Sequence, residues 1–267
     1  KFISASEPDY VLSPQECRHS TLYMEKRAVQ GEPTVFSETF EYTSCGEWHN
    51  LRAEDVLPYD TTTALYKEYT AEREKHIVFS PRLRELAAKL TAGETNPYLK
   101  AKRIFRWIND HFPWASAREY STIENIPEYV LDNRHGDCGQ VSLLFITLCR
   151  ISGIPAHFQS GFMMHPRAWN LHDWAEVYFE GVGWVPVDQS FGIPAFARNA
   201  DEEYFFLGGI DSWRMIVNSD YSMPLVPEKK YPRSETVDFQ RGEVEWEGGN
   251  LYFPQWSYHM DIDYLNY

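Results

Sequence analysis

The feature that most constrains this chain is a change of period in its middle third. After Gly136-Asp137-Cys138, apolar residues recur at steps of three and four (Val141, Leu144, Phe145, Leu148, Ile151) until Gly153 and Pro155 interrupt them. That is the spacing of one helix face, with a stop signal behind it. From residue 156 the alternation becomes two, over 156–164, 173–179 and 184–188, as in strands. A tight turn at Gly181-Val182-Gly183 joins the last two. A helix followed by antiparallel strands makes the fold α+β, with the sheet packed on the helix that begins at Cys138.

Two more helices are predicted upstream. Ser80-Pro81 is an N-cap followed by Pro at the first helical position, and Leu83, Leu86, Ala87 and Leu90 recur until Gly93. Asn96-Pro97 opens another on the same logic, with Leu99, Ile104, Trp107 and Ile108 on its apolar side, closing near His111-Phe112-Pro113. Residues 1–75 read as strands and loops, with short runs such as Thr34-Val35-Phe36 and 39–43 between Gly and Pro. The tail from 227 to 267 is rich in Tyr, Trp and acid and has no period. The expected organisation is a β-rich N-terminal segment (1–75), a catalytic core (76–226) and an aromatic-rich C-terminal extension packed on that core (227–267).

Charge narrows the partners. With 39 acidic against 25 basic residues, the formal net charge is −14, which excludes the basic footprint of a nucleic-acid binder. No apolar run approaches the roughly 18 residues needed to span a bilayer. Aromatic residues make up 16% of the chain, enough to line a cleft as well as fill a core. The chain starts at Lys1 without a charged and then apolar leader, which reads as the mature part of an exported protein.

The four cysteines have different settings. Cys17 and Cys45 share the N-terminal stretch and can pair in an oxidising compartment. Cys149 sits mid-helix beside Leu148 and reads as a small core residue. Cys138 opens a helix, where unpaired N–H groups and the macrodipole favour an anion and lower a thiol pKa. Gly139 beside it leaves space for a substrate backbone. A nucleophile needs a base, and the base an orienting group. Among nine histidines, His172 stands out because it begins a strand that pairs with the one ending at Asp188. If 181–183 form the loop, Glu180 faces Trp184 and His172 faces position 192. That is an even number of residues beyond Asp188, so His172 and Asp188 share a sheet face.

Gly136-Asp137-Cys138-Gly139-Gln140, Leu148-Cys149-Arg150, Gly153-Ile154-Pro155-Ala156, His172-Asp173-Trp174-Ala175-Glu176-Val177 and Gly183-Trp184-Val185-Pro186-Val187-Asp188 together resemble the core of the transglutaminase-like superfamily. Asn96-Pro97 with Ala101, Ile104 and Trp107 resembles the helix before that core, so the likeness runs over about 76–192. It implies a papain-like fold and a Cys138-His172-Asp188 triad in a bacterial-type member. It also implies an aromatic N–H upstream of the cysteine as an oxyanion donor, for which Trp114 is the candidate, since the spacing of Trp107 places it in the core. Gln140, Trp169 and Trp174 are the substrate-cleft candidates. One departure is Asp173, which follows the histidine where a small residue is usual and is placed to perturb it.

The family holds crosslinking transglutaminases, peptide N-glycanases and bacterial cysteine peptidases or amidases. The expectation is therefore acyl transfer from a peptide or protein amide through a thioester, resolved by water (a hydrolase of the cysteine protease type). The alternatives are resolution by an amine, as in a protein-glutamine gamma-glutamyltransferase, and a catalytically silent binding module on the same fold. No calcium loop and no zinc-ligand spacing is present, so neither a metal nor another cofactor is expected.

Overall fold

In the computed structural model, which describes residues 1–116 and 118–265, short strands come first. β1 (Phe2–Ala5) pairs with β4 (Glu38–Phe40), β2 (Tyr10–Leu12) with β3 (Leu22–Met24), and β5 (Glu47–Trp48) with a later strand. The run Thr34-Val35-Phe36 lies outside these strands. A one-turn-and-a-half helix, α1 (Ala64–Tyr69), then interrupts the region read as strands and loops. Its N-cap, Thr63, accepts from the Tyr66 N–H.

The next two helices follow their cap signals. α2 (Pro81–Leu90) starts behind Ser80 and α3 (Pro97–His111) behind Asn96, each cap accepting from the third N–H and each with Pro at the start. α4 (Ile126–Asn133) has the same device, Asn125 before Ile126-Pro127, and closes on Arg134 in the left-handed region. The nucleophile candidate opens α5 (Cys138–Ile151). Every α5 residue from Gly139 to Arg150 is buried, so the apolar stripe read from sequence is one side of a helix enclosed on all sides. Helices α2, α3 and α4 pack on it from one side, and the sheet from the other.

That sheet has the order β10-β6-β7-β8, all antiparallel, from β6 (Ala156–His165), β7 (Ala168–Phe179), β8 (Gly183–Val187) and, after α6 (Ala200–Glu203) and β9 (Gly209–Ile210), β10 (Arg214–Ser219). β9 is the partner of β5, and a last hairpin, β11 (Val244–Trp246) with β12 (Gly249–Leu251), lies in the tail. In the β7–β8 hairpin Phe179 faces Gly183. The loop is thus 180–182 and the register differs by two from the sequence expectation. The parity is even in both, so His172 and Asp188 do share a face.

Both edges of the sheet are covered, which removes open pairing groups. Residues 18–20 run along β10, with Ser20 N donating to Val217 O at 3.0 Å and Ser219 N to Arg18 O at 2.8 Å. Residues 206–208 close β8 through Asp188 N to Phe206 O and Gly208 N to Pro186 O, both 2.9 Å. No helix is long and apolar enough among the described residues to cross a membrane. Cys17 and Cys45 are both free thiols, so the pairing considered from sequence is not made.

Candidate active site

Cys138 is the first residue of α5, as its sequence setting requires. Asp137 caps the helix by accepting from Gln140 N at 3.2 Å. The Tyr120 hydroxyl donates to the same Asp137 oxygen and accepts from Gly139 N at 3.2 Å. The space beside Gly139 is filled from inside the protein: a Cβ there would lie 2.6 Å from both Asp173 Oδ2 and Tyr120 Oη. The sequence reading that this glycine admits a substrate backbone is therefore corrected. Glycine is needed because a carboxylate and a phenol approach the first helical turn.

The thiol has an unexpected partner. Cys138 Sγ donates to Asp173 Oδ2 at 3.6 Å, and no hydrogen bond joins it to His172 among the described residues. Strand alternation explains the choice. Asp173 shares a β7 face with Ala175 and Val177, which belong to the core around α5. His172 is on the face of Trp174, whose ring stacks against it at 5.9 Å. Burial, with Asp173 and Asp137 nearby, pushes the Cys138 thiol well up from its ordinary value. The expected lowering by the helix start is overturned: a macrodipole contributes at most about 2 kcal/mol, less than burying a charge beside other anions costs.

His172 and Asp188 do meet. His172 Nε2 donates to Asp188 Oδ2 at 2.7 Å, with both side chains buried. Asp188 Oδ1 accepts from Phe191 N at 3.1 Å, and Arg214 on β10 reaches Oδ2 at 2.8 Å while also holding Asp211 at 2.7 Å. Burial alone would raise the Asp188 carboxyl, but His172 and Arg214 hold it below the ordinary range. The imidazole lies between Trp174 and Phe191, the latter edge-on at 5.4 Å. Its Nδ1 makes no hydrogen bond among the described residues. His172 precedes Asp173, the partner of the thiol, on β7, so the dyad lies near the start of α5.

The other sequence candidates have varied positions. The Trp114 backbone runs parallel to Gly136, through Ala115 N to Gly136 O at 3.1 Å, and its side chain is 61% exposed. Trp169 is the second residue of β7, opposite Met164, and its side chain is exposed. Trp174 is not a cleft wall: it is fully buried and donates Nε1–H to Gln159 Oε1 at 2.5 Å, because its strand face is covered by Arg214 and His172. Gln140 is fully buried rather than on an open helical turn, as α4 and the sheet enclose α5. Arg214, Tyr120 and Gln240 escaped the sequence reading. Each reaches its partner in the site (Asp188, Asp137 and Asp173 respectively) from far away in sequence, and none belongs to a periodic run.

A cluster of carboxyls surrounds the thiol. Burial raises Asp137 to about 6 and Asp238 to about 7, and Asp173 rises by burial and by the fields of Asp238 and Asp137. An acid whose folded value lies above its unfolded one stabilises the fold below the unfolded value, and that contribution is lost as pH rises through the folded one. His19 and His76, held neutral at about 4 by burial, act in the opposite sense below pH 6.5. We therefore expect the melting temperature to fall between pH 6 and 8, by about 2–4 °C per kcal/mol lost. Melting curves of Asp238→Asn should show most of that fall removed; an unchanged slope would contradict the assignment.

Residues 84–189 match the family model of the transglutaminase-like superfamily. An uncharacterized protein of Bacillus subtilis (strain 168), YebA, is 26% identical over 140 residues, 45% of this chain and 19% of the relative. A protein-glutamine gamma-glutamyltransferase of Pseudomonas aeruginosa is 23% identical over 125 residues, 43% of this chain and 19% of the relative. The chain thus spans about a fifth of the length of these curated relatives. Among solved structures, the periplasmic domain of TgpA from Pseudomonas aeruginosa superposes with a TM-score of 0.40 at 20% identity, covering 48% of this chain and 47% of that one.

Proposed function

Over residues 84–189 the chain belongs to the transglutaminase-like superfamily, and from that premise we propose that it transfers the acyl group of a peptide or protein amide through a thioester on Cys138. His172 serves as the acid–base group and Asp188 fixes its tautomer. The observation that carries this reading is the buried His172–Asp188 pair at 2.7 Å, on the strand whose next residue, Asp173, touches the Cys138 sulfur. With Nε2–H committed to Asp188, Nδ1 is the nitrogen left to exchange protons. Cys138 attacks the carbonyl, the amine departs with a proton, and water activated by His172 releases the acid. Trp114, whose backbone adjoins Gly136, is retained in the proposal as an oxyanion donor, with the Cys138 N–H. Trp169 is retained as a cleft residue. The core 76–226 carries this chemistry, with 1–75 and 227–267 as flanking segments.

Resolution by an amine is the second reading, favoured by the relative named protein-glutamine gamma-glutamyltransferase. One experiment separates them. Glutamine-containing peptides are incubated with the protein, with and without a primary amine, and followed by mass spectrometry. New peptide termini or deamidation are expected, absent in Cys138→Ala. Amine adducts in place of hydrolysis would select transfer. No product with any peptide, from a protein whose Cys138 is intact, would select the binding module.

A further inference from the structure

The neighbours of the His172 imidazole differ in their access to solvent. Trp174, stacked against the ring, and Asp188, bonded to Nε2, are fully buried, and Arg214 behind Asp188 is 5% exposed. Phe191 is different. Its ring stands edge-on to the imidazole at 5.4 Å, yet the residue is 39% exposed. Of these neighbours it is the one that reaches solvent, so a molecule approaching Nδ1 passes over it.

This aromatic wall is held in place. Phe191 N donates to Asp188 Oδ1 at 3.1 Å, Gly192 N to Asp188 O at 3.1 Å and Ile193 N to Asn109 Oδ1 at 2.9 Å. A Cβ at Gly192, where φ is +55°, would lie 2.5 Å from that Asn109 oxygen, so the turn closes tightly on α3. Phe206 leans on the Phe191 ring at 5.0 Å. The ring's attraction for a cation is already used, because the Arg214 guanidinium carbon lies over it, 4.7 Å from its centroid. A second cation there would be repelled by the first. The surface left open is apolar, and covering it favours an uncharged side chain.

We propose that Phe191 is a specificity-determining residue, which reads the side chain on the amine side of the scissile amide and selects a large apolar residue over lysine, arginine or glycine. This rests on the reading of Cys138 as nucleophile and His172 as acid–base group, and deepens it by naming the class of the departing amine. The departing nitrogen takes its proton from His172, so it must come within hydrogen-bond reach of Nδ1. The side chain next to that nitrogen is then brought against the ring beside the imidazole. The formal net charge of −14 would by itself draw cationic amines, so the order among amines separates the wall from the general field.

The test uses the full chain and rests on microscopic reversibility: the place that releases an amine also receives one. p-Nitrophenyl acetate acetylates the protein, then glycinamide, leucinamide, phenylalaninamide or lysinamide is added. Mass spectrometry gives the ratio of N-acetyl amide to acetate. In the transfer the amine nitrogen bonds to the acetyl carbon, the Sγ–C bond breaks, and the amine proton passes through His172 to sulfur. The signal of Cys138→Ala, which reports the free thiols Cys17 and Cys45, is subtracted. In the wild type, leucinamide and phenylalaninamide should exceed the other two by roughly tenfold or more. Phe191→Ala should bring the four together, and Phe191→Leu, which keeps an apolar wall, should retain most of the order. A merely structural role would lower all four alike. That result overturns the proposal, as does a wild type that favours lysinamide, treats the four alike or passes acetyl to none. The wild-type order and Phe191→Leu decide the matter if Phe191→Ala does not fold. Absence of any Cys138-dependent acetylation defeats the nucleophile reading itself and is read separately.

Discussion

Asp188→Asn is expected to lower turnover on a peptide amide by about 10⁴-fold, the scale of the corresponding change in a serine triad, while the protein stays folded. One carboxylate serves three groups here: His172 donates to Oδ2, Phe191 N donates to Oδ1, and the Arg214 guanidinium lies as an ion pair 2.8 Å from Oδ2. An amide cannot satisfy all three. If its oxygen stays toward His172 and Arg214, its NH₂ confronts the Phe191 N–H. If it flips, the NH₂ confronts Arg214 and drives the His172 proton to Nδ1, the nitrogen required to accept one. Either orientation damages the base. Arg214 retains Asp211 at 2.7 Å, which keeps the buried guanidinium paired and limits the cost to the fold. Rates with a reporter peptide, beside a melting curve for each variant, check this. Activity within tenfold of wild type in a folded Asn variant would exclude Asp188 from the mechanism.

The largest effect on stability is expected from Gly161→Ala. Gly161 is central in β6, between His172 on β7 and Ile216 on β10. β10 bulges between Ile216 and Asn218, and the extra residue pushes its backbone toward β6. A Cβ at 161 would lie 1.8 Å from Met215 O and 2.9 Å from its carbon, a contact that no rotamer relieves. Overpacking typically costs about 1–3 kcal/mol, more where backbone must move, and this is such a place. A drop in melting temperature of roughly 5 °C or more follows at about 2–4 °C per kcal/mol. A melting temperature within 1–2 °C of wild type, as an order of magnitude, would show that the β10 bulge yields freely.

What was legible in the sequence followed the local signals. Ser80, Asn96 and Asp137 cap the helices they announce, because a cap needs only its own turn. The β7–β8 pairing was legible in parity but not in register. Gly183, at φ +109°, is both the end of the turn and the first residue of β8, and composition does not say which. Asn125-Ile126-Pro127 carried the same signal as the other caps, and α4 was overlooked because its apolar run is short. The polar side of the site was not legible. Asp173 stood out as a departure, but its partner Gln240 lies 67 residues away in a segment without period. The direction of the thiol shift depends on burial and on neighbours that only the tertiary fold supplies.

The anchoring of Asp173 from position 240 also sets an order in time. During synthesis, α5 and the β6–β7 ladder leave the ribosome before Gln240 is made. At about 5–20 residues per second, the 67-residue interval amounts to several seconds in which Cys138 has a helix but Asp173 lacks its far hydrogen bond. A nascent chain in that interval holds the thiol beside a carboxyl fixed only by its own strand. The polar surroundings of Cys138 are therefore completed only when the tail docks, and they are the last part of the site to form.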